Sequence, residues 1–315
     1  MSLAHTLHSL PRICWVSMSC KLIFSHFLFQ VSSRLTLYRS YSGIATHYLH
    51  STSLPDLEAR LGELQFKDYD KLDQRLRIIN STVEEFCTGL PHDQPIAAPV
   101  SGNIRAAIDY VFQPANDIDG IVDALDGLAN MQEGTKGYHE VKEWAEKTKK
   151  TILQRSPTSV RVTLKQLRDG KSWGIAKTFR MEHMIASHFM EHPDFVEGVS
   201  SLLIRKPKTT PQWQPPRVDQ VKDQDVNAFF EGTPELELLN SGEETNYGDY
   251  PHAWIGLPRE AEVADLVRKR GKDGKQKIAE AFVNRTNGKQ GVKEKVEEIL
   301  NRKTEVRDGG LYWKR

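Results

Sequence analysis

The sequence SPTSVRVTLKQL at residues 156–167 opens the stretch that decides the fold. The stretch continues as MEHMIASHFMEHPDFVEGVSSLLIRK at residues 181–206 and ends as PQWQPP at residues 211–216. Ser156 before Pro157 has the pattern of a helix N-cap followed by proline at the first helical position. Apolar residues then recur every three or four positions, which predicts three successive helices with buried faces. The stretch is therefore predicted to be helical core.

Each of the three helices has its own predicted buried face. In the first helix this face is Val160, Leu164 and Leu167. In the second helix the same spacing predicts a face made of Met181, Met184, Ile185, His188 and Phe189. In the third helix Asp194 is the predicted N-cap, because Glu197 follows three residues later. The predicted buried face of that third helix consists of Phe195, Val199, Leu202 and Leu203.

The first 40 residues differ in composition from the rest of the chain. No Asp or Glu precedes Asp56, whereas basic residues recur in a Ser-rich, apolar segment. Such composition is typical of mitochondrial transit peptides and predicts the mitochondrial matrix. A secretory signal is the alternative, but three irregularly spaced cysteines do not indicate a disulfide framework. The apolar run at 22–31 is shorter than the ~20 residues that a bilayer requires, so no membrane span is predicted.

The rest of the chain divides by composition into three regions. Residues 41–216 are predicted to be helical, apart from an extended segment at 41–48. Residues 217–252 are predicted to be an acidic, loop-rich linker. Residues 253–315 are predicted to be a basic helical tail, in which Lys and Arg outnumber Asp and Glu by six. Further helices are predicted at 67–79, 82–88, 104–112, 118–128, 138–153, 261–268, 278–283 and 292–300.

Three motifs carry a resemblance to a known family. They are SGIATHYLHSTSLPDLE at 42–58, SPTSVRVTLKQL at 156–167, and the run from Asp194-Phe-Val-Glu197-Gly198-Val to Trp213 and Pro215. Together they resemble 3-hydroxyisobutyryl-CoA hydrolase, a branch of the crotonase (enoyl-CoA hydratase/isomerase) superfamily. The resemblance implies that the chain is mainly α. It would be the C-terminal helical part of a crotonase-like α/β fold, with at most one or two short strands.

The resemblance implies hydrolysis of a CoA thioester in valine breakdown, with CoA as part of the substrate and no other cofactor. This chemistry requires backbone N–H groups that stabilise an oxyanion, and a carboxylate that acts as base or nucleophile. In crotonases these groups precede the GIATHY-like strand, but here only about 40 residues without a carboxylate precede it. We therefore expect the catalytic residues to be absent and the chain to correspond to the C-terminal half of the enzyme. For residues 1–40, a transit peptide and a mispredicted gene start both remain open.

Candidate binding residues follow from the same resemblance. His47 in the GIATHY motif is a candidate for the acyl pocket, with a structural role as the alternative. Arg205 and Lys206 lie where crotonases often carry basic residues near the nucleotide phosphates of CoA, with a solvated helix end as the alternative.

One further motif bears on metal binding. His188-Phe-Met-Glu191-His192 matches the H-x-x-E-H zinc signature. Because His192 precedes Pro193, a position biased away from the α-helix, no metal site is predicted.

The basic tail suggests a second function. Trp254, Tyr312 and Trp313 lie among its cations, a composition shared by nucleic-acid contacts and by solvated helix faces. Fungal relatives of the hydrolase also occur as components of the mitochondrial small ribosomal subunit. The leading hypothesis is thus a mitochondrial acyl-CoA thioesterase, and the alternative is a non-catalytic protein of that subunit. Crotonases commonly trimerise through their C-terminal helices, so self-association is expected as well.

Overall fold

The computed structural model describes residues 46–47, 49–87, 101–134, 137–233, 236–240, 242, 246–247 and 252–314. The leader at 1–40 and most of the extended segment predicted at 41–48 lie outside these residues. Contacts within the chain define two compact units. The described part of the first unit lies within Asn103–Pro251, and that of the second lies within Ser33–Gly102 and His252–Arg315. The division predicted from composition at residues 216 and 252 stays a prediction.

The described residues are mainly helical, as predicted, with two short strands. In chain order the helices are α1 (Leu54–Gly62), α2 (Leu72–Glu85), α3 (Gly102–Val111), α4 (Ile118–Ala129), α5 (Tyr138–Leu153), α6 (Pro157–Gly170), α7 (Ile175–Glu191), α8 (Pro193–Val199), α9 (Asp223–Ala228), α10 (Glu260–Arg270), α11 (Gly274–Arg285) and α12 (Val292–Lys303). The strands are β1 (Thr304–Arg307) and β2 (Gly310–Trp313). No helix among the described residues combines the length and the apolar character that crossing a membrane requires.

Helix α6 lies in the core of the first unit and is buried on two faces. Val160 packs in a cluster built mainly from α4 and α5, with Ile121 and Leu125 at its centre. Val162 packs in a second cluster with Ile185 of α7 and with apolar residues from the segment after Pro216. The predicted single stripe is therefore incomplete, because α6 has partners on two sides and a helix in that position is apolar on more than one face.

Helix α8 contradicts the predicted burial of its apolar residues. Phe195 is 41% exposed and Leu203 is 73% exposed, whereas Asp194 and Ser201 are buried. The helix has only seven residues and continues as a π-helical turn at Ser200–Ile204. The predicted face assumed a regular period of 3.6 residues, but the π-turn changes that period. This segment is held in place through its polar side chains.

The N-terminus of α8 is also different from the predicted one. His192 is the N-cap, and its backbone is extended with ψ 135°. Its Nδ1 accepts a hydrogen bond from Asp194 N at 3.3 Å, and Pro193 occupies the first helical position. The prediction of Asp194 as the cap was wrong, because Asp194 lies inside the helix and turns its carboxylate into the core.

The second unit has its own core around α10, α11 and α12. Fully buried residues at its centre are Val263, Ile278, Phe282, Val296 and Leu300. The strands β1 and β2 pair antiparallel, from Thr304 opposite Trp313 to Arg307 opposite Gly310. Asp308 and Gly309 connect them with φ values of 48° and 73°, the left-handed conformation that a two-residue hairpin turn requires.

Helix α2 also belongs to the second unit and differs from its prediction. It runs unbroken from Leu72 to Glu85, so Asn80 and Ser81 lie inside one helix and do not separate two. The start lies at Lys71, whose backbone N donates to Gln74 Oε1 at 3.2 Å. The predicted break between the helices at 67–79 and 82–88 was wrong, because the residues on both sides of it also favour helix.

Candidate functional site

The first candidate site joins the motif residues of the first unit through the carboxylate of Asp194. Asp194 is 5% exposed. One oxygen accepts a hydrogen bond from Ser156 Oγ at 2.5 Å, and the other accepts one from Gln214 N at 2.8 Å. Ser156 is also the N-cap of α6, as predicted, because its Oγ accepts from Ser159 N at 3.1 Å. A single buried carboxylate thus ties the start of α6 to the proline-rich segment.

Glu197 holds the same proline-rich segment from one turn further along α8. Arg205 donates to both of its carboxylate oxygens at 2.9 and 2.8 Å. Gln212 N donates to Oε1 at 2.9 Å. The hydrogen bonds from Arg205 and from the Gln212 backbone lower the pKa of Glu197, and the same ion pair raises the pKa of Arg205.

Gly198 and Trp213 complete this set of contacts. A Cβ atom on Gly198 would lie 3.3 Å from Cη2 of Trp213, closer than ordinary van der Waals contact, so glycine lets the indole ring approach the helix. The Trp213 Nε1 donates to the carbonyl of Gln154 at 3.1 Å. The spacing of Asp194, Glu197, Gly198 and Trp213 therefore has a structural explanation. We call these four residues with Ser156 the motif clasp.

Arg205, which was predicted together with Lys206 to contact the phosphates of CoA, pairs with Glu197 of the motif clasp. Both terminal nitrogens of the Arg205 guanidinium contact Glu197, which compensates its charge. Lys206 follows in an exposed position before Pro207. Their role in binding CoA stays a prediction.

The residues of the zinc signature pack against an aromatic ring. Helix α7 ends at Glu191, so His192 leaves the helical path that would place it above His188. The rings of His188 and His192 lie 5.8 and 5.9 Å from the ring of Phe229. Within the described ranges, no three His, Cys, Asp or Glu side chains are grouped closely enough to bind a metal ion.

The second candidate site lies in the second unit and contains His47. Its Nε2 lies 3.0 Å from Glu84 Oε1, but the atoms are poorly aligned for a hydrogen bond. The Nδ1 atom lies 3.0 Å from Thr46 Oγ1. The ammonium group of Lys289 contacts the same oxygen of Glu84, and its side chain is only 6% exposed. Two ionisable groups from distant parts of the chain, His47 and Lys289, thus meet at the carboxylate of Glu84.

The electrostatics of this cluster indicate a structural role for Glu84. Partial burial raises the pKa of Glu84, but the contacts with His47 and Lys289 outweigh that effect and lower it to about 2. A carboxylate with so low a pKa is a weak base and a poor proton acceptor near neutral pH. The proposed position of His47 near a substrate stays a prediction. No local pattern in the sequence connects Glu84 with Lys289, which follows 205 residues later.

A comparison of the sequence with protein families identifies one family that includes the residues of the motif clasp. Residues 27–230 match the model of the enoyl-CoA hydratase/isomerase family. This is more than half of the chain, and the chain therefore belongs to that family.

Individual relatives fall into two groups. The chain is 44% identical to the small ribosomal subunit protein mS47 of Neurospora crassa, over 87% of this chain and 54% of the relative. It is 32% identical to mS47 of Schizosaccharomyces pombe, over 58% of this chain and 38% of the relative. It is 31% identical to the mitochondrial 3-hydroxyisobutyryl-CoA hydrolase of Dictyostelium discoideum, over 60% of this chain and 44% of the relative. The chain spans about half the length of these relatives or less.

Among solved structures, the chain is similar to a carnitinyl-CoA dehydratase from Mycobacterium thermoresistibile. The TM-score is 0.43 and the identity is 19%, over 71% of this chain and 59% of the other.

Proposed function

We propose that this chain is a non-catalytic protein of the mitochondrial small ribosomal subunit. The observation that carries the proposal is the extent of the match to the Neurospora mS47 protein. That match leaves out 13% of the chain, whereas the basic tail at 253–315 makes up 20% of it. The match must therefore include part of the tail.

The matches to the hydrolases do not require the tail. They cover 60 to 62% of the chain at about 30% identity. A match of that length fits within residues 27–230, which are 65% of the chain. Similarity of the tail to the Neurospora mS47 protein thus favours the ribosomal function over the enzymatic one.

Two surface properties support assembly into a larger complex. The tail has six more basic than acidic residues, which favours contact with the phosphates of RNA. In the first unit, Phe195, Val196, Leu203 and Ile204 are exposed together on α8 and the turn that follows it. Contiguous exposed apolar residues are characteristic of surfaces that other molecules cover.

Sedimentation tests this proposal. The full chain carrying a C-terminal tag is expressed in Neurospora crassa, and mitochondrial extracts are separated on a sucrose gradient. We expect the tagged chain to migrate with the small ribosomal subunit at low salt and to be partly released at high salt. A tagged matrix enzyme of similar size is the control and should remain at the top. The proposal is wrong if the chain remains there with it at both salt concentrations.

Hydrolysis of 3-hydroxyisobutyryl-CoA is the second candidate function. It is favoured by the family match and by the motif clasp, which contains residues from two of the three motifs that resemble the hydrolase branch. Release of CoA thiol by the purified full chain is the direct assay. We expect no release above that of the buffer, and turnover would favour the hydrolase.

Location in the mitochondrial matrix is part of both candidates and is supported by relatives named as mitochondrial.

A further inference from the structure

The second unit contains a groove of about 460 Å³ whose lining includes none of the family-motif residues. Its volume lies in the range of small-molecule sites in proteins. One wall comes from α2 and the others from the segment around Trp254 and from the ends of α10 and α11. Polar and aromatic residues available to a ligand in this groove are Arg77, Asn80, Trp254, Arg259, Arg285 and Asn287.

Positive charge predominates along the groove. Arg77, Arg259 and Arg285 line it, and Glu262 is the one acidic residue of the lining. Lys289 also lines the groove, but its ammonium group is already paired with Glu84. Arg259 and Arg285 both contact Glu262, with N–O distances of 3.4 and 2.7 Å, so two guanidinium groups share one carboxylate. The groove therefore has an uncompensated positive charge that favours an anionic ligand.

Trp254 offers an aromatic surface next to these cations. It is 40% exposed. The guanidinium of Arg77 lies 5.1 Å from the centre of the indole ring, within the range of a cation–π contact. This contact orients both side chains before any ligand arrives. An indole beside cationic side chains is the combination with which proteins stack a base and neutralise its phosphate.

Asn80 adds a polar group to the wall. Its Oδ1 is buried and has no hydrogen-bond partner within the part of the chain that the structure describes. A buried acceptor without a partner is unfavourable by about 1–3 kcal/mol, and a ligand N–H or O–H removes that penalty once the amide turns towards the groove. The base edges and 2′-hydroxyl groups of RNA provide such donors.

From these contacts we propose that the groove binds a segment of single-stranded RNA, with a base stacked on Trp254 and phosphates at Arg77, Arg259 and Arg285. The proposal rests on the ribosomal function, because it identifies RNA as the partner of the second unit. A base supplies the aromatic face, its phosphates match the excess charge, and its hydrogen-bond donors suit Asn80. An acidic peptide would match the charge and offer backbone N–H donors, but its acidic residues have no aromatic face to stack on Trp254.

Fluorescence anisotropy with the full chain and a labelled single-stranded RNA of about 12 nucleotides tests this, a length typical of such sites. Trp254→Leu should weaken binding about tenfold, since stacking on an aromatic side chain is worth ~1–3 kcal/mol per base. Tyr312→Leu is the matched control, an exposed aromatic residue of the same unit outside the groove, and should leave affinity unchanged. Circular dichroism of each variant verifies that it is folded.

Arginine variants test the phosphate contacts separately. Arg77→Gln should weaken binding and reduce the slope of log affinity against log salt by about one. Arg307→Gln, an exposed arginine outside the groove, should change neither quantity appreciably. Equal effects of groove and control variants, or tighter binding of AMP than of the RNA, would overturn the proposal. Sedimentation of the same variants separates the two hypotheses: a chain that migrates with the subunit but binds no RNA in the groove disproves only this one.

Discussion

The two units stabilise a carboxylate in opposite ways, and that carboxylate is buried in the first unit and partly buried in the second. In the first unit, Asp194 accepts hydrogen bonds from neutral groups, a hydroxyl and a backbone N–H. In the second unit, Glu84 lies between the cationic Lys289 and the imidazole of His47. The first arrangement depends on the path of the backbone that brings Gln214 N to Asp194. The second depends on the opposite charges of Glu84 and Lys289. The motif residues around Asp194 therefore fix the path of the chain in the first unit, whereas the motif residue His47 belongs to a charged cluster in the second.

The largest expected effect is loss of the Asp194 contacts. Asp194→Ala leaves Ser156 Oγ and Gln214 N without their acceptor in a buried position, and we expect the first unit to lose about 4 kcal/mol of stability. Hydrogen–deuterium exchange followed by mass spectrometry measures this, because it reports on peptides of each unit separately. Exchange should accelerate in α6 and α8 and remain unchanged in α10 to α12.

Asp219→Ala is the control for this variant. Asp219 pairs with Arg217 on the surface, with 54% of its side chain exposed, so its loss should change stability by less than about 0.5 kcal/mol. If the two variants accelerate exchange equally, Asp194 is not a special contact of the fold.

The corresponding change in the second unit is Glu84→Gln. It leaves the ammonium group of Lys289 without its counter-charge at a site that is 6% exposed. We expect the second unit to lose about 3 kcal/mol, within the range for breaking one side of a buried ion pair. Glu85→Gln is the matched control one residue away, since Glu85 is half exposed and pairs loosely with Arg60 at 3.7 Å. Exchange in α11 and α12 should respond to the first substitution only.

A pH titration tests whether the charge of Glu84 stabilises the second unit. The pKa of Glu84 is lowered from 4.5 to about 2, so the folded state favours its ionised form. The resulting stability is complete above pH 4.5 and is lost as the pH falls towards 2. Melting of the wild-type chain and of Glu84→Gln, measured across this window, should show a difference between them that shrinks on acidification. The loss should be smaller than that from Glu84→Gln, because a protonated carboxyl group remains in place. A constant difference would contradict the assignment.

Much of the helical fold could be predicted from the sequence, because periodic apolar residues and caps are local signals. Ser156 before Pro157 identified the start of α6, and the helices at 118–128 and 138–153 match α4 and α5 closely. The hairpin was missed although Asp308-Gly309 is a recognised turn signal, since its strands have only four residues each.

The sites could not be predicted in the same way. Asp194 has the residue type and the spacing of a cap, and only the path of the Gln214 segment converts it into a buried acceptor. The pairing of Glu84 with Lys289 requires two segments 205 residues apart to fold together, which no local pattern encodes. The exposed apolar residues of α8 were misjudged for a related reason, since burial depends on neighbours that periodicity does not specify.

The smallest expected effect concerns Gly198, where two contributions oppose each other. Alanine favours the helix over glycine by about 0.5–1 kcal/mol. At Gly198, however, the new Cβ would lie 3.3 Å from the Trp213 ring and would push the indole away from Gln154. We expect Gly198→Ala to be destabilising by about 1 kcal/mol in total, since a forced shift of a packed ring exceeds the gain in helix propensity.

Gly127→Ala provides the comparison for Gly198. It lies in α4, where an added Cβ meets nothing within 4 Å, and should be stabilising by about 0.5 kcal/mol. Opposite signs in thermal melting of the two alanine variants would show that Gly198 is required for the approach of Trp213. Stabilisation by both substitutions would mean that the indole moves aside without loss, and the motif clasp would then consist only of its polar contacts.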